Sequence, residues 1–116
     1  MIFMLIASIQ SILPSGILYL PQKEPKAVLL LWDNVQSVTV LKRDAFSYDL
    51  ICMSFLMSNG DEIEFDEEDL HWKKLNDHLD DFLEGAKTSK DWFWDVAIPA
   101  FEACEQVVFS RKKPLL

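Results

Sequence analysis

The two histidines of the chain, His71 and His78, are the first residues to consider as metal ligands. They are seven residues apart, which on a helix corresponds to two turns and about 10 Å. Histidines that bind one zinc ion from a single helix are three or four residues apart. The two side chains therefore cannot chelate one ion together, and we predict that each pairs with a neighbouring carboxylate. No metal site is expected.

The acidic segment from Asp61 to Asp69 raises the question of calcium binding. An EF-hand loop places carboxylates five, three and one positions before its glycine. Before Gly60 those positions hold Phe55, Met57 and Asn59. A glycosidase-like pair would need two acids facing each other across a cleft, with one pKa raised by burial. A run of neighbouring acids predicts instead a solvated face.

Nucleophilic and phosphate-binding chemistry has little support in the residue pattern. Cys52 and Cys104 are the only cysteines, and their wide spacing fits neither a metal knuckle nor a disulfide framework. We predict two reduced thiols in a cytosolic protein, with a disulfide between them as the alternative for an exported chain. Three glycines, at 16, 60 and 85, cannot form a Gly-rich phosphate loop. No cofactor and no catalytic residue is expected.

Length and charge limit the classes of protein to consider. The chain has 116 residues, half of them apolar, which suits one domain over residues 1–116 with a substantial core. Its net charge is −8, and a net charge of −9 is concentrated in residues 61–95, where 13 acids accompany 4 lysines. This balance argues against nucleic acids and anionic membranes as partners. A basic protein is the expected partner.

The apolar segment from Met1 to Leu13 must be assigned either to the core or to a membrane. A secretory signal has a positively charged start, yet the first basic residue here is Lys23. Pro14-Ser15-Gly16 ends the segment well short of the roughly 20 residues that span a bilayer. We predict a buried element in a cytoplasmic protein, with a peripheral membrane anchor as the alternative.

The first half of the chain has the pattern of a β-sheet. Turn residues separate Ile17–Leu20, Ala27–Trp32 and Val35–Leu41, and the unbroken apolar run of the second predicts a strand buried on both faces. Asn59-Gly60 predicts a hairpin with a type I′ turn. Its first arm, Leu50–Met57, reads as a central strand, and its second arm alternates so that one face is solvated.

The second half is predicted to be mainly helical. Asp66 is a candidate N-cap for a helix over Glu67–Glu84, and apolar residues recur there every three or four positions. Gly85 is the natural stop. A second helical segment is predicted from Ser89, and Gln106–Ser110 resembles a short strand.

Trp92-Phe93-Trp94 is the least ordinary local pattern. Three successive residues of a helix spread over about 200° and cannot all face one core, so at least one ring should reach the surface. An exposed aromatic beside acids resembles the anchors of protein interfaces; packing of the rings under the chain's C-terminal tail is the alternative. The candidate interaction residues are Glu67, Glu68, Asp77, Asp80, Asp81, Asp91, Trp92 and Trp94.

The order of these elements resembles a known domain type. Strands, then Trp32-Asp33-Asn34-Val35-Gln36-Ser37-Val38, then a hairpin and one amphipathic helix, are similar to the pleckstrin-homology-like (PH-like) domains of bacterial proteins. The resemblance covers about residues 2–84 and leaves 85–116 as an extension. The chain also resembles a group of small uncharacterised bacterial proteins through Lys42, Asp44, Asp49-Leu50-Ile51, Trp72, Trp92, Val96 and Pro99-Ala100-Phe101. Because the predicted helix is acidic, phosphoinositide binding is not implied.

The expected fold is α+β: a bent antiparallel sheet, or partly open barrel, of about six strands closed by the helix from Glu67 to Glu84. The expected function is a non-catalytic bacterial interaction module that binds a basic partner, with an immunity-type protein as its most specific form. The alternatives are an enzyme whose site is assembled in space and a membrane-peripheral module using Met1–Leu13. An exposed edge strand would equally serve a homodimer.

Overall fold

A computed structural model of the chain describes residues 5–22, 25–44, 48–97 and 104–111. Seven strands and three helices, with one short 3-10 helix, make up these residues. The strands are β1 Leu5–Leu13, β2 Gly16–Pro21, β3 Val28–Leu31, β4 Val35–Asp44, β5 Asp49–Met57, β6 Glu62–Asp66 and β7 Glu105–Ser110. The helices are the 3-10 helix Trp32–Asn34, α1 Trp72–Asp77, α2 Leu79–Phe82 and α3 Ser89–Ala97.

The strands form two antiparallel groups that meet at β1. Their order is β3-β2-β1-β6-β5-β4-β7, and the single parallel contact joins Leu5 to Ile63 and Ile6 to Glu64. The α+β class is therefore confirmed; the described residues form seven strands where about six were expected, and the sheets are open. The PH-like identity stays a prediction.

Tight turns connect the β1–β2 and β5–β6 hairpins as their residue types suggest, with one difference. In the β5–β6 hairpin, the Gly60 N–H donates to the Met57 carbonyl at 2.9 Å, so Ser58 and Asn59 are the central residues of the turn. Gly60 follows with φ of +95°, a backbone region that glycine enters without strain. The loop thus has three residues, and the predicted two-residue type I′ turn was wrong.

Strand β3 is an edge strand, contrary to the prediction that Ala27–Trp32 is buried on both faces. Leu30 is buried, whereas Val28, Leu29 and Leu31 are each about 40% exposed. An unbroken apolar run does not distinguish a central strand from an edge strand. The hydrophobic pattern of one segment carries no information on whether a second strand pairs with its other edge. The predictions for β2, β4, β5 and β7 are confirmed by strands at those positions.

The long helix predicted over Glu67–Glu84 is interrupted. Residues 67–71 form turns, α1 begins at Trp72, and the chain leaves the helical conformation at His78 before α2. Asp66 accepts a hydrogen bond from the Glu68 amide at 2.9 Å, so it caps a turn and not a helix. Short acidic side chains compete with helical bonding by binding nearby amides.

The interrupted helix still covers the sheet as the apolar stripe predicts. Leu75, Leu79 and Leu83 are at most 2% exposed. Phe82 stacks on Trp32 with ring centroids 4.8 Å apart, and Trp32 in turn contacts Phe55. Gly85 has φ of +85° after α2, which fits the predicted stop.

The segment assigned either to the core or to a membrane lies in the sheet from Leu5 onward. Ala7, Ile9 and Ile12 of β1 are buried, and β1 pairs with both β2 and β6. The described part of Met1–Leu13 is therefore a core strand and not an interfacial helix, and Met1–Met4 lie outside the described residues.

Candidate functional site

A groove at the junction of the three helices brings together two of the predicted interaction residues. Asp77 and Asp80 line it with Thr88, Ser89 and Lys90 around a volume of about 240 Å³. The Ser89 hydroxyl donates to Asp77 at 3.3 Å, which holds the start of α3 beside the end of α1. The groove is therefore lined by residues from all three helices and by Thr88, which precedes α3.

The acids around this groove differ in how firmly they are held. Lys73 donates to Asp77 one helical turn away and holds the pKa of that carboxyl below its usual range. Asp81 lies 3.0 Å from Nδ1 of His78, with both side chains more than half exposed. Asp80 is exposed and has no hydrogen-bond or ion-pair partner among the described residues. Most of this negative charge is thus directed toward solvent.

Glu67 and Glu68 lie at the end of β6, where they also have structural contacts. The Glu67 carboxylate accepts the Ile51 amide at 3.0 Å, and the Glu67 amide donates to the Ile51 carbonyl at 2.9 Å. Glu67 therefore extends the β5–β6 pairing. Glu68 accepts the Tyr48 hydroxyl at 2.7 Å, and this hydrogen bond raises the pKa of Tyr48. Both side chains are exposed.

A second, larger groove lies next to these glutamates. It has a volume of about 390 Å³, and Asp66, Glu68 and Asp69 line it together with residues of β1 and β2. The Asp69 carboxylate is engaged, since it accepts the amides of Ile9 at 2.8 Å and His71 at 2.9 Å. Asp69 accepts the Ile9 amide just after the pairing of β1 with β6 ends. This hydrogen bond explains why the Asp69 side chain lies in the groove.

Asp91 serves first as a helix cap. Its carboxylate accepts the Thr88 amide at 3.0 Å and lies 3.3 Å from the Thr88 hydroxyl. This arrangement corresponds to a capping box at the start of α3. The predicted start of the helix at Ser89 is confirmed. The Asp91 carboxylate would therefore bind a partner while it also accepts the internal hydrogen bond from the Thr88 amide.

The three aromatic residues of α3 divide between core and surface. Trp92 is 1% exposed, whereas Phe93 is 39% and Trp94 is 69% exposed. The Phe93 and Trp94 rings meet edge to face, with centroids 5.2 Å apart. Trp92 therefore belongs to the core, and naming it as an interaction residue was wrong. The prediction that at least one ring reaches the surface is confirmed by Trp94.

A charged cluster on the outer face of the sheet has no counterpart in the sequence-based candidates. Arg43 of β4 donates to Glu64 of β6, with Nη2 to Oε1 at 2.9 Å and Nε to Oε2 at 3.1 Å, and the Glu64 side chain is 4% exposed. Cys52 of β5 lies between them. Burial raises the pKa of the Cys52 thiol to about 12, and the Glu64 carboxylate adds to the effect. Cys52 is therefore a protonated thiol at neutral pH, which is unfavourable for a nucleophile.

Lys42 is the buried cation on the opposite face of β4. Its side chain is 2% exposed, and its Nζ lies 3.2 Å from the Ala97 carbonyl and 3.8 Å from Asp49. Two of the residues that carry the family resemblance, Lys42 and Asp49, are thus in contact. The pair ties β4 and β5 to the end of α3, and a buried charge with partners on two elements resists rearrangement of either.

The remaining candidates for chemistry lie apart from one another. His71 is 3.5 Å from Asp69, and His78 pairs with Asp81. Cys52 and Cys104 are free thiols. Strand β4 separates them, which places their backbones about 9 to 10 Å apart, beyond the reach of a disulfide. The disulfide alternative is therefore wrong for this fold.

A metal-binding cluster and a membrane-spanning helix are both absent from the residues that the structure describes. No group of three or more His, Cys, Asp or Glu side chains is arranged to hold a metal ion there. None of the helices in the same residues has the length and apolar character needed to cross a membrane.

The fold and the site together define an open-sheet α+β domain with an acidic, partly aromatic helical surface. Comparison with protein-family models, curated proteins and solved structures gives no match for the chain.

Proposed function

We propose that this chain is a non-catalytic protein-interaction module that binds a basic partner. The binding surface consists of an acidic flank, defined as Glu67, Glu68, Asp77, Asp80, Asp81 and Asp91, and of Trp94 as its apolar anchor. The two parts supply different contributions: the acids attract and orient the partner, and the tryptophan contributes contact area.

The observation that carries the proposal is the exposure of Trp94. A tryptophan buries about 150 to 250 Å² when fully covered, and this one leaves 69% of its surface in water. At about 25 cal/mol per Å², covering the rest would contribute about 3 to 4 kcal/mol before the costs of association. Tryptophan is also enriched among the residues that dominate binding energy at interfaces.

The charge distribution supports a basic partner. Residues 61–95 carry a net charge of −9, and the rest of the chain carries +1. A charge concentrated on one part of a protein accelerates encounter with an oppositely charged surface and disfavours acidic competitors. The attraction is screened by salt, because the Debye length falls to about 8 Å at physiological ionic strength.

More specific forms of this proposal concern identity and location. We propose a bacterial, cytoplasmic protein of immunity type, in which the acidic flank blocks a basic toxin. Two free thiols are consistent with a reducing compartment. A PH-like identity for the sheet and its covering helices is part of the same proposal, supported by the strand-rich order and by the helix that follows the β5–β6 hairpin.

The test is affinity capture from lysate of the source cells with the full chain as bait, at low and high salt. The expected result is a basic protein that is retained at low salt and released at high salt. Asp80→Asn/Asp81→Asn should reduce its recovery several-fold. The matched control is Asp33→Asn/Glu62→Gln, which removes the same charge from exposed residues outside the flank.

A second pair of variants tests the aromatic anchor. Trp94→Ala should abolish capture of the same protein, whereas Val107→Ala, which trims an exposed residue on β7, should not. Capture that is independent of salt, or equal loss in the flank variant and its control, would show that the acidic flank is not the binding surface.

A further inference from the structure

Strand β3 leaves backbone groups unpaired along its outer edge. The Trp32 amide donates to the Ser15 carbonyl at 3.2 Å, and the β2–β3 register pairs Ile17 with Leu30 and Tyr19 with Val28. Because hydrogen-bonded pairs alternate along antiparallel strands, the amides and carbonyls of Val28 and Leu30 point toward β2. Those of Leu29 and Leu31 point away from β2. No other strand of the described residues pairs with this edge.

The side chains along this edge are apolar and accessible. Leu29 and Leu31 share one face of β3, opposite the buried Leu30, and are 42% and 39% exposed. Edge strands of monomeric proteins usually carry charges or proline that discourage pairing with another chain. The described strand from Val28 to Leu31 has neither.

The charges flanking β3 are arranged for pairing with its own copy. Lys26 lies before the strand and Asp33 lies after it, both exposed, and neither forms an ion pair within the described part of the chain. In an antiparallel copy centred on Leu30, residue 27 of one chain would lie opposite residue 33 of the other, so that Lys26 of each chain would lie one position from Asp33 of its partner, twice. A parallel arrangement would put like charges together.

We propose that β3 is a homodimer interface in which two copies of the chain pair their third strands antiparallel. The two-fold axis passes at Leu30. Leu29 of each copy then faces Leu31 of the other, so the outward amides and carbonyls form reciprocal hydrogen bonds and the exposed leucines meet in cross-strand pairs. This inference is independent of the proposed basic partner, because it uses neither the acidic flank nor Trp94.

The other free edge, β7, is the alternative interface within the molecule, and it is less suited to the role. Its largest exposed apolar side chain is Val107. The cation at its end is already engaged, because Arg111 donates to the carbonyls of Val35 at 3.0 Å and Trp32 at 3.1 Å. Within the part of the chain that the structure describes, a self-paired β7 would thus lack both a leucine pair and a free cation.

Sedimentation of the full chain over a range of concentrations tests the proposal. The expected result is a monomer–dimer equilibrium between 13.4 kDa and twice that mass. Leu29→Lys should raise the dimer dissociation constant about tenfold or more, because it buries two ammonium groups at the pairing edge. Val107→Lys places the same side chain on β7 and should leave the equilibrium unchanged.

A charge exchange separates antiparallel pairing from other arrangements. Lys26→Asp should weaken the dimer at least about threefold by placing two acids together, and Lys26→Asp/Asp33→Lys should restore it. These positions are exposed, so the exchange remains informative if Leu29→Lys does not fold. A chain that stays monomeric at all concentrations overturns the proposal. So does a dimer broken by Val107→Lys instead of Leu29→Lys, or one that the double exchange does not restore.

Discussion

The protonated thiol of Cys52 gives a quantitative prediction about chemistry in this fold. Cys52 is 1% exposed and lies beside the Arg43–Glu64 ion pair. Burial and the Glu64 carboxylate raise the pKa of its thiol, whereas Arg43 opposes them. The perturbation to apply is alkylation of the native chain at pH 8, in a Cys104→Ser background that leaves Cys52 as the only thiol.

The expected size of the effect follows from the two pKa values. With a pKa of about 12 in place of the ordinary 9.0, the thiolate fraction at pH 8 falls from about one in ten to about one in ten thousand. Since the thiolate is the species that reacts, alkylation of the folded chain should be about a thousandfold slower than alkylation of the chain in denaturant. Burial of the sulfur slows it further.

The same shift predicts how stability depends on pH. The unfolded thiol loses its proton above about pH 9, while the folded thiol keeps its own until about pH 12. The stabilisation is therefore present below pH 9 and is lost as the pH rises from 9 to 12, at about 1.4 kcal/mol per pH unit. Comparing urea unfolding of the Cys104→Ser chain with that of its Cys52→Ala derivative isolates this slope.

Both measurements can refute the reasoning. Alkylation of folded Cys52 at a rate within about tenfold of the denatured chain would show that the thiol is ionised or accessible. It would also restore Cys52 as a candidate nucleophile and favour the enzymatic alternative. An identical alkaline slope with and without Cys52 would show that neither burial nor the Glu64 carboxylate raises the pKa of this thiol.

Three further predictions test the packing and strand pairing. Leu79→Ala, at a fully buried position, should lower the free energy of unfolding by about 2 to 5 kcal/mol in urea titration. Gly16→Ala should cost about 1 to 3 kcal/mol in the same assay, because its added carbon would lie 1.9 Å from the Leu30 carbonyl oxygen. Val28→Pro should lower the free energy of unfolding by about 1 to 3 kcal/mol, because it removes an amide that is bonded to β2. Leu29→Pro should be nearly neutral, because the Leu29 amide points away from β2. The reverse order of the two effects would show that β3 pairs with β2 in the opposite phase.

Elements set by local chemistry could be predicted from the sequence. The β5–β6 hairpin follows from a glycine that must take positive φ and from strands with matching alternation. The start of α3 follows from a polar residue before the helix and an acid in its first turn. In both cases the decisive contacts join residues at most a few positions apart.

Elements that depend on contacts between distant residues could not be predicted from the sequence. The helix expected from Glu67 begins at Trp72, because Asp69 accepts the Ile9 amide at a separation of 60 residues. The Asp69 carboxylate accepts the nearby His71 amide through one oxygen and the distant Ile9 amide of β1 through the other. Likewise the exposed edge of β3 depends on which strand lacks a neighbour, and no local pattern encodes that.

The sequence predicted the acidic and aromatic character of the candidate site. It did not predict which of its residues are exposed and which belong to the core. The acidity of the helical surface is visible in the sequence, and so is the need for one aromatic of α3 to face solvent. That Trp92 and not Trp94 enters the core depends on the orientation of α3 against β4 and β7. The Arg43–Glu64 pair was missed because it joins two strands that are separated by β5.

The proposed dimer strand and the aromatic anchor Trp94 lie toward opposite ends of the strand order. Strand β3 is at one end, while α3 packs on β4 and β7 at the other. Pairing through β3 would therefore leave both copies of Trp94 uncovered, and the dimer would present two acidic surfaces. A partner with two basic sites, or one immobilised at high density, would then be held more tightly by the dimer than by either copy alone. Leu29→Lys should remove that gain while leaving the affinity of a single site unchanged, so the two interfaces can be tested separately in one chain.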